Sequence, residues 1–262
     1  MKTKIGIIGG GNMGSAIIAG ISRQYSVFLC EQDSRRCQQL KRKYKISTGD
    51  LKTVVAKSRV IILAVKPQSF EQLLKTIRPF VSKDKLIISI AAGITCQYIQ
   101  KRLGSKVHVV RAIPNLPAQV GKGMTGICSG KAATQGDLIL SRRIFSCIGN
   151  VIVVEEKWMD AITAVSGSGP AYVFLFIEYL NKAATSLGLK KNLAHDLVAQ
   201  TIRGSIDLLE HQKVDAGVLR AKVTSKGGTT QAAIDVFQKN KLEKVFKSAL
   251  GAAKKRAKEL SK

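Results

Sequence analysis

Lys4-Ile5-Gly6-Ile7-Ile8-Gly9-Gly10-Gly11-Asn12-Met13-Gly14 is a short β-branched apolar run that breaks into a glycine cluster and then into a helix-like segment. Gly9, Gly11 and Gly14 fit the spacing G-x-G-x-x-G. In a strand–turn–helix setting each has a steric job: the tight turn, the approach of backbone to a pyrophosphate, and close contact between helix and sheet. The first N–H groups of the helix then face the phosphates. A second apolar run, 27–31, ends in Glu31, 17 residues beyond Gly14 and about where a ribose-binding acid belongs. Together these predict a dinucleotide site built from Gly9, Gly10, Gly11, Asn12, Met13, Gly14 and Glu31. Which dinucleotide stays open. Glu31 suits a ribose 2′-hydroxyl and repels a 2′-phosphate, whereas Arg35 and Arg36 would bind that phosphate or merely line a solvated helix face.

Outward from this unit, apolar runs alternate with helix-like segments, the pattern of βαβ units feeding a parallel sheet. Strands are expected at 4–9, 27–31, 60–65, 86–90 and 107–112, with helices starting near Asn12, Ser34, Pro67 and Thr95. A weaker strand–helix–strand follows at 125–128, 134–148 and 151–154. From Trp158 onward the strand pattern disappears and long helical segments take over. The expected organisation is therefore α/β, with a dinucleotide-binding domain at 1–157 and an all-helical domain at 158–262. Gly167-Ser168-Gly169-Pro170 is expected to interrupt the first long helix. The stretch 171–177 is apolar on every side, with Tyr172, Phe174 and Phe176 close together, so one core face does not account for it. Either a second copy of the chain covers it or the helix threads its own domain.

The 262 residues are 45% hydrophobic and 23% charged, as in a folded globular chain. Unbroken apolar runs fall well short of the roughly 18 residues a bilayer requires, so no membrane span is expected. The N-terminus lacks the features of a signal peptide, and a cytoplasmic location is expected. Five scattered cysteines, Cys30, Cys37, Cys96, Cys128 and Cys147, offer no CxxC spacing. Buried reduced thiols are expected, with neither a disulfide framework nor a metal site. The net charge of +26 is the outlying number, spread as 26 Lys/Arg against 8 Asp/Glu in 1–157 and 17 against 9 in 158–262. Without aromatic interleaving or a nucleic-acid motif near Lys41-Arg42-Lys43 or Lys254-Lys255-Arg256, it reads as a solvated basic surface rather than specific nucleic-acid recognition.

No HExxH, GxSxG or CxxC occurs, and nothing places His108, His195 and His211 together. Three loops remain. Ala64-Val65-Lys66-Pro67 and Ala112 to Pro117, which contains Asn115, lie at the carboxyl edge of the expected sheet, where ligands of such folds bind. In Thr224-Ser225-Lys226-Gly227-Gly228-Thr229-Thr230, two glycines flanked by hydroxyls lead into a helix N-terminus, the makings of an anion pocket.

These motifs resemble those of the pyrroline-5-carboxylate reductase family essentially end to end. The resemblance rests on Gly9 to Gly14, Ala64-Val65-Lys66-Pro67, Ser89-Ile90-Ala91-Ala92-Gly93, Arg111 to Pro117, Ser166 to Tyr172 and Ser225 to Thr230. It implies a Rossmann-type parallel-sheet domain followed by a helical dimerisation domain, and a homodimer that many members assemble into a decamer. It further implies NADPH or NADH as hydride donor to a cyclic imine, giving L-proline. The implied site has Ser225, Gly228, Thr229 and Thr230 on the substrate, Thr230 as the catalytic hydrogen-bond partner, and Ala64, Val65, Lys66, Pro67 and Asn115 around the nicotinamide. Three positions depart from the family pattern: Lys226 stands for proline, Gln32 for an arginine and Leu51 for an asparagine. A β-hydroxyacid dehydrogenase or another imine reductase of related fold is the enzymatic alternative, although its catalytic lysine is missing before Lys182. A non-catalytic dinucleotide- or polyanion-binding protein is the other.

Overall fold

The structure, a computed structural model, describes residues 2–260. The chain forms two compact units, Met1–Pro170 with Ala252–Lys262, and Ala171–Gly251.

The first unit opens with β1 (Lys4–Ile8), α1 (Asn12–Ile21), β2 (Ser26–Cys30) and α2 (Ser34–Tyr44). A short β3 (Ser47–Thr48) and α3 (Leu51–Lys57) come next, then β4 (Val60–Leu63), α4 (Phe70–Ile77), β5 (Leu86–Ser89), α5 (Cys96–Leu103) and β6 (His108–Ile113). It continues through β7 (Gly123–Ser129), α6 (Gln135–Ser146) and β8 (Gly149–Val153). The eight strands form one sheet in the order β3-β2-β1-β4-β5-β6-β7-β8. Chain order reverses at β1, whose Ile5 pairs with Val27 of β2 on one side and Val60 of β4 on the other. Ligands of doubly wound sheets bind at such a switch point, here at the carboxyl ends of β1 and β4.

Successive residues of the central strands feed two separate cores. Ile7, Ile62, Ile88 and Val110 join one cluster, while Ile8, Leu63, Ile87 and Val109 join the other. With both faces covered, β4 and β5 are buried throughout, as their unbroken apolar runs require. The expected strands agree with the observed ones to within two residues at each end. Three details differ. β7 runs antiparallel to β6, whereas a parallel sheet was expected, because the 114–122 link is too short for a parallel crossover. β3 and α3 were not expected. The helix expected at Pro67 begins as a 3₁₀ turn, Pro67–Ser69, before α4.

The helical part begins with α7 (Met159–Ile162) and a π-helical turn, Thr163–Gly167, that leads through Ser168 into α8 (Gly169–Ser186). The expected interruption is thus a wider turn and a bend rather than a complete break. The helical run Glu156–Ser186 spans 31 residues and contains an 18-residue stretch of mean hydropathy 1.3, long and apolar enough by length and composition to cross a membrane. Ser166, Ser168 and Glu178 interrupt its apolar residues, so it holds no unbroken apolar run of that length. In the second unit follow α9 (Lys191–Gln212), α10 (Ala216–Lys222), α11 (Thr229–Lys239) and α12 (Leu242–Glu259), whose last turns belong to the first unit. No residue of α8 is buried, and Val173, Phe174, Leu175, Phe176 and Tyr179 are exposed. The helix does not thread its own domain.

Candidate active site

The glycine turn after β1 has the geometry its spacing demands. Gly9 adopts φ +101°, and a Cβ there would lie 2.5 Å from the Ala64 carbonyl oxygen, so only glycine lets this turn pass beneath the end of β4. A Cβ on Gly14 would collide with the Gly9 carbonyl, which fixes how closely α1 approaches the turn. Gly11 differs: its φ is −62°, and a Cβ would meet nothing within 4 Å. Gly11 is also the N-cap of α1 and supplies no side-chain cap, so the first N–H groups of that helix stay available. Asn12 is exposed beside them, and Met13 packs against the core.

Glu31, at the end of β2, is tied to this loop. One carboxylate oxygen accepts from the Gly10 N–H and the other from the Asp33 N–H at 2.9 Å. Asp33 in turn caps α2 through the Arg36 N–H at 3.0 Å, leaving Arg35 and Arg36 exposed in the first turn of that helix. Leu51, at the start of α3, is half-buried against the core, and Gln32 is exposed.

Ala64 and Val65 leave β4 beside Gly9, each packing against a different core cluster, while Lys66 is exposed and precedes Pro67. Glycine turn, Glu31 and Ala64–Pro67 therefore converge at the switch point. Asn115 follows β6 and is engaged by the protein itself. Its amide Nδ2 donates to the Ser166 carbonyl at 3.1 Å and lies 3.3 Å from the Ser166 hydroxyl, and its Oδ1 accepts from the Met124 N–H at 2.8 Å. It clips β6, β7 and the π-helical turn together.

In the second unit, Gly227 takes φ +71° and Gly228 is the extended N-cap of α11, again without a side-chain cap. The Gly228 N–H donates to the Ser225 carbonyl at 3.0 Å, and the Ser225 hydroxyl sits where a Cβ of residue 228 would stand. Thr229 and Thr230 are the first two helical residues, with Thr230 half-buried and Lys226 exposed. Asp33, Asp50, Thr95, Thr134 and Asp215 cap their helices with side chains; Gly11 and Gly228, like Ser69, Trp158 and Lys190 at α4, α7 and α9, supply no side-chain cap, and as glycines they leave the backbone open to an acceptor. Both N-termini thus carry the positive end of a helix dipole and unpaired donors.

The histidines stay apart. His108 pairs through Nδ1 with Asp137 Oδ2 at 2.8 Å, part of the capping box of α6, and His195 and His211 are exposed. All five cysteines are free, but only Cys96 and Cys128 are buried; Cys30, Cys37 and Cys147 are half-buried, contrary to expectation, because they lie at strand and helix ends.

A switch-point glycine turn on a doubly wound sheet, an acid at the end of β2 and a following helical unit define a dinucleotide-dependent oxidoreductase. Residues 4–93 match the family described as "NADP oxidoreductase coenzyme F420-dependent", and residues 156–260 match "Pyrroline-5-carboxylate reductase dimerisation". A pyrroline-5-carboxylate reductase of Synechocystis is 38% identical, with 100% of both chains covered. The solved pyrroline-5-carboxylate reductase of Coxiella burnetii superposes with a TM-score of 0.93 at 36% identity over 100% of both chains. The Plasmodium falciparum pyrroline carboxylate reductase, solved with NADP bound, gives 0.89 at 30% identity, covering 99% of this chain and 98% of the other. The chain belongs to the pyrroline-5-carboxylate reductase family.

Proposed function

We infer that the chain reduces 1-pyrroline-5-carboxylate to L-proline with NADPH or NADH. The observation that carries this reading, beyond family membership, is the uncapped, glycine-initiated N-terminus of α11 flanked by the Ser225 and Thr230 hydroxyls. It is a receptor for a carboxylate bearing a polar ring atom close by.

Gly9 to Gly14 and the N-terminus of α1 would hold the pyrophosphate, and Glu31 the adenosine ribose. Ala64 to Pro67 would line the nicotinamide side, with Asn115 positioning the neighbouring loops. Bound there, NADPH or NADH would supply a hydride to the imine carbon. The electron pair of the C=N bond passes to nitrogen, which in the iminium form already holds its proton, so orientation matters more than a strong acid. The N–H groups of Thr229 and Thr230 with the Ser225 hydroxyl bind the substrate carboxylate. The Thr230 hydroxyl is the catalytic hydrogen-bond partner at the ring nitrogen. Following NADPH and NADH oxidation in parallel with pyrroline-5-carboxylate tests the reading; no imine-dependent oxidation of either would end it.

Arg35 and Arg36 are the candidates for a 2′-phosphate. Replacing both with alanine should raise the KM for NADPH roughly tenfold to a hundredfold, the scale of a charged hydrogen bond, and leave NADH nearly unchanged. An equal effect on the two cofactors, or none, would assign the arginines to the solvated surface.

The dimerisation domain implies an oligomer, and the exposed apolar residues of α8 support a homodimer as its unit, the building block from which a decamer would form. Dilution should lower thermal stability together with assembly, since obligate dimers often lack a stable monomer. A compact, active monomer in sedimentation velocity would contradict this. Free thiols at all five cysteines support a reducing compartment, the cytoplasm.

A further inference from the structure

The most concentrated unassigned chemistry lies in the first unit, away from the glycine turn. Cys96 opens α5, Cys128 is near the end of β7, and Glu156 sits in the 3₁₀ turn after β8. Their two sulfurs and a carboxylate oxygen all lie within 4.8 Å of one another. Both cysteines are 1% exposed, and Glu156 Oε1 is held by the Cys96 N–H at 2.8 Å. A tetrahedral zinc ion about 2.3 Å from each sulfur needs the sulfurs roughly 3.8 Å apart, within a side-chain adjustment of this arrangement.

We propose that Cys96, Cys128 and Glu156 form a binding site for a thiophilic divalent cation of the zinc type.

Charge supports the assignment. Two thiolates and a carboxylate around a divalent ion leave a single negative charge. Arg111, 2% exposed, places its Nη1 3.8 Å from the Glu156 oxygen and offsets that charge. Asp160 Oδ1 lies 3.5 Å from the guanidinium Nη2, which holds Arg111 in place as an outer partner of the site. Hydrogen bonding to Cys128, then burial, pushes the Cys96 thiol up. Binding displaces one proton from each sulfur as two metal–sulfur bonds form.

Access and a fourth position come from a cavity of about 400 Å³ lined by Cys96, Gln100, Ser129, Gly130, Lys131 and Glu156. Three protein ligands with one position open to water make an incompletely closed site. The bound ion would tie the start of α5, the end of β7 and the entry to the helical part into one cluster.

The test uses the full chain, reduced and stripped with a chelator, then titrated with Zn²⁺ against a chromophoric competitor and, separately, with Co²⁺ as an optical probe. The proposal expects one high-affinity Zn²⁺ per chain, a thiolate-to-cobalt charge-transfer band in the near ultraviolet and a rise in Tm with Zn²⁺. Cys96→Ser/Cys128→Ser should weaken binding by more than ~100-fold, beyond what the loss of an outer partner costs. Cys30→Ser/Cys37→Ser should retain both the band and the affinity. The latter pair keeps the test decisive if the buried double variant fails to fold. A band that follows Cys30 and Cys37, binding no tighter in the parent than in Cys96→Ser/Cys128→Ser, or a Cys96–Cys128 disulfide in place of a retained ion would overturn the proposal.

Discussion

A Gly11→Val variant should fold like the parent and lose affinity for NADPH and NADH alike, by roughly tens-fold or more, about 2 kcal/mol. The two effects separate because of where Gly11 sits. Its φ of −62° suits any L-residue, and a Cβ there meets no protein atom within 4 Å. Added bulk would instead project over the uncapped N-terminus of α1, where a pyrophosphate must approach the backbone. Gly14→Ala is the useful contrast, because its Cβ would strike the Gly9 carbonyl and its cost should appear as a lowered Tm. Fluorescence titration with both cofactors, alongside thermal unfolding, distinguishes them. Unchanged cofactor affinity in a folded Gly11→Val protein would remove the pyrophosphate from this turn.

Thr230→Val should lower kcat/KM for the imine about tenfold to a hundredfold, the worth of a hydrogen bond of roughly 1.5–3 kcal/mol to a charged partner. Valine keeps the branched shape, so α11 should persist and cofactor affinity should hold. Ser225→Ala should act mainly on KM, because carboxylate capture is made in ground state and transition state alike. If Thr230→Val left kcat/KM untouched, or if cofactor binding fell as far as turnover, the imine would have to bind elsewhere.

The central sheet was legible because Val60–Leu63 and Leu86–Ile88 are short unbroken runs of Val, Ile and Leu with one physical solution, a strand covered on both faces. Ser47–Thr48 carries no apolar residue, so nothing announced β3. The reversal of β7 left a readable trace in the short, proline-containing link at 114–122, but the following βαβ pattern pointed the other way. The glycine turn was readable residue by residue because its steric demands are local. That the Glu31 carboxylate accepts from the Gly10 N–H was not, since this depends on how far β2 brings it toward β1. The Cys96, Cys128 and Glu156 cluster was hidden for the same reason. Its members lie on separate elements with no motif spacing, brought together by the β6–β7 pairing that sets Arg111 opposite Cys128 and by the Cys96 N–H that Glu156 accepts.

α12 returns its last turns to the first unit, where Ala257 is buried and a Cβ on Gly93 would strike the Leu260 carbonyl. A growing chain therefore cannot complete its nucleotide-binding half as soon as β8 leaves the ribosome. The final piece of that half is translated after all of α8 to α11, although domains ordinarily close in the order they are made. During that interval the loop around Gly93 waits uncovered. Its closure has high sequence separation, which places it among the slow, late events of folding.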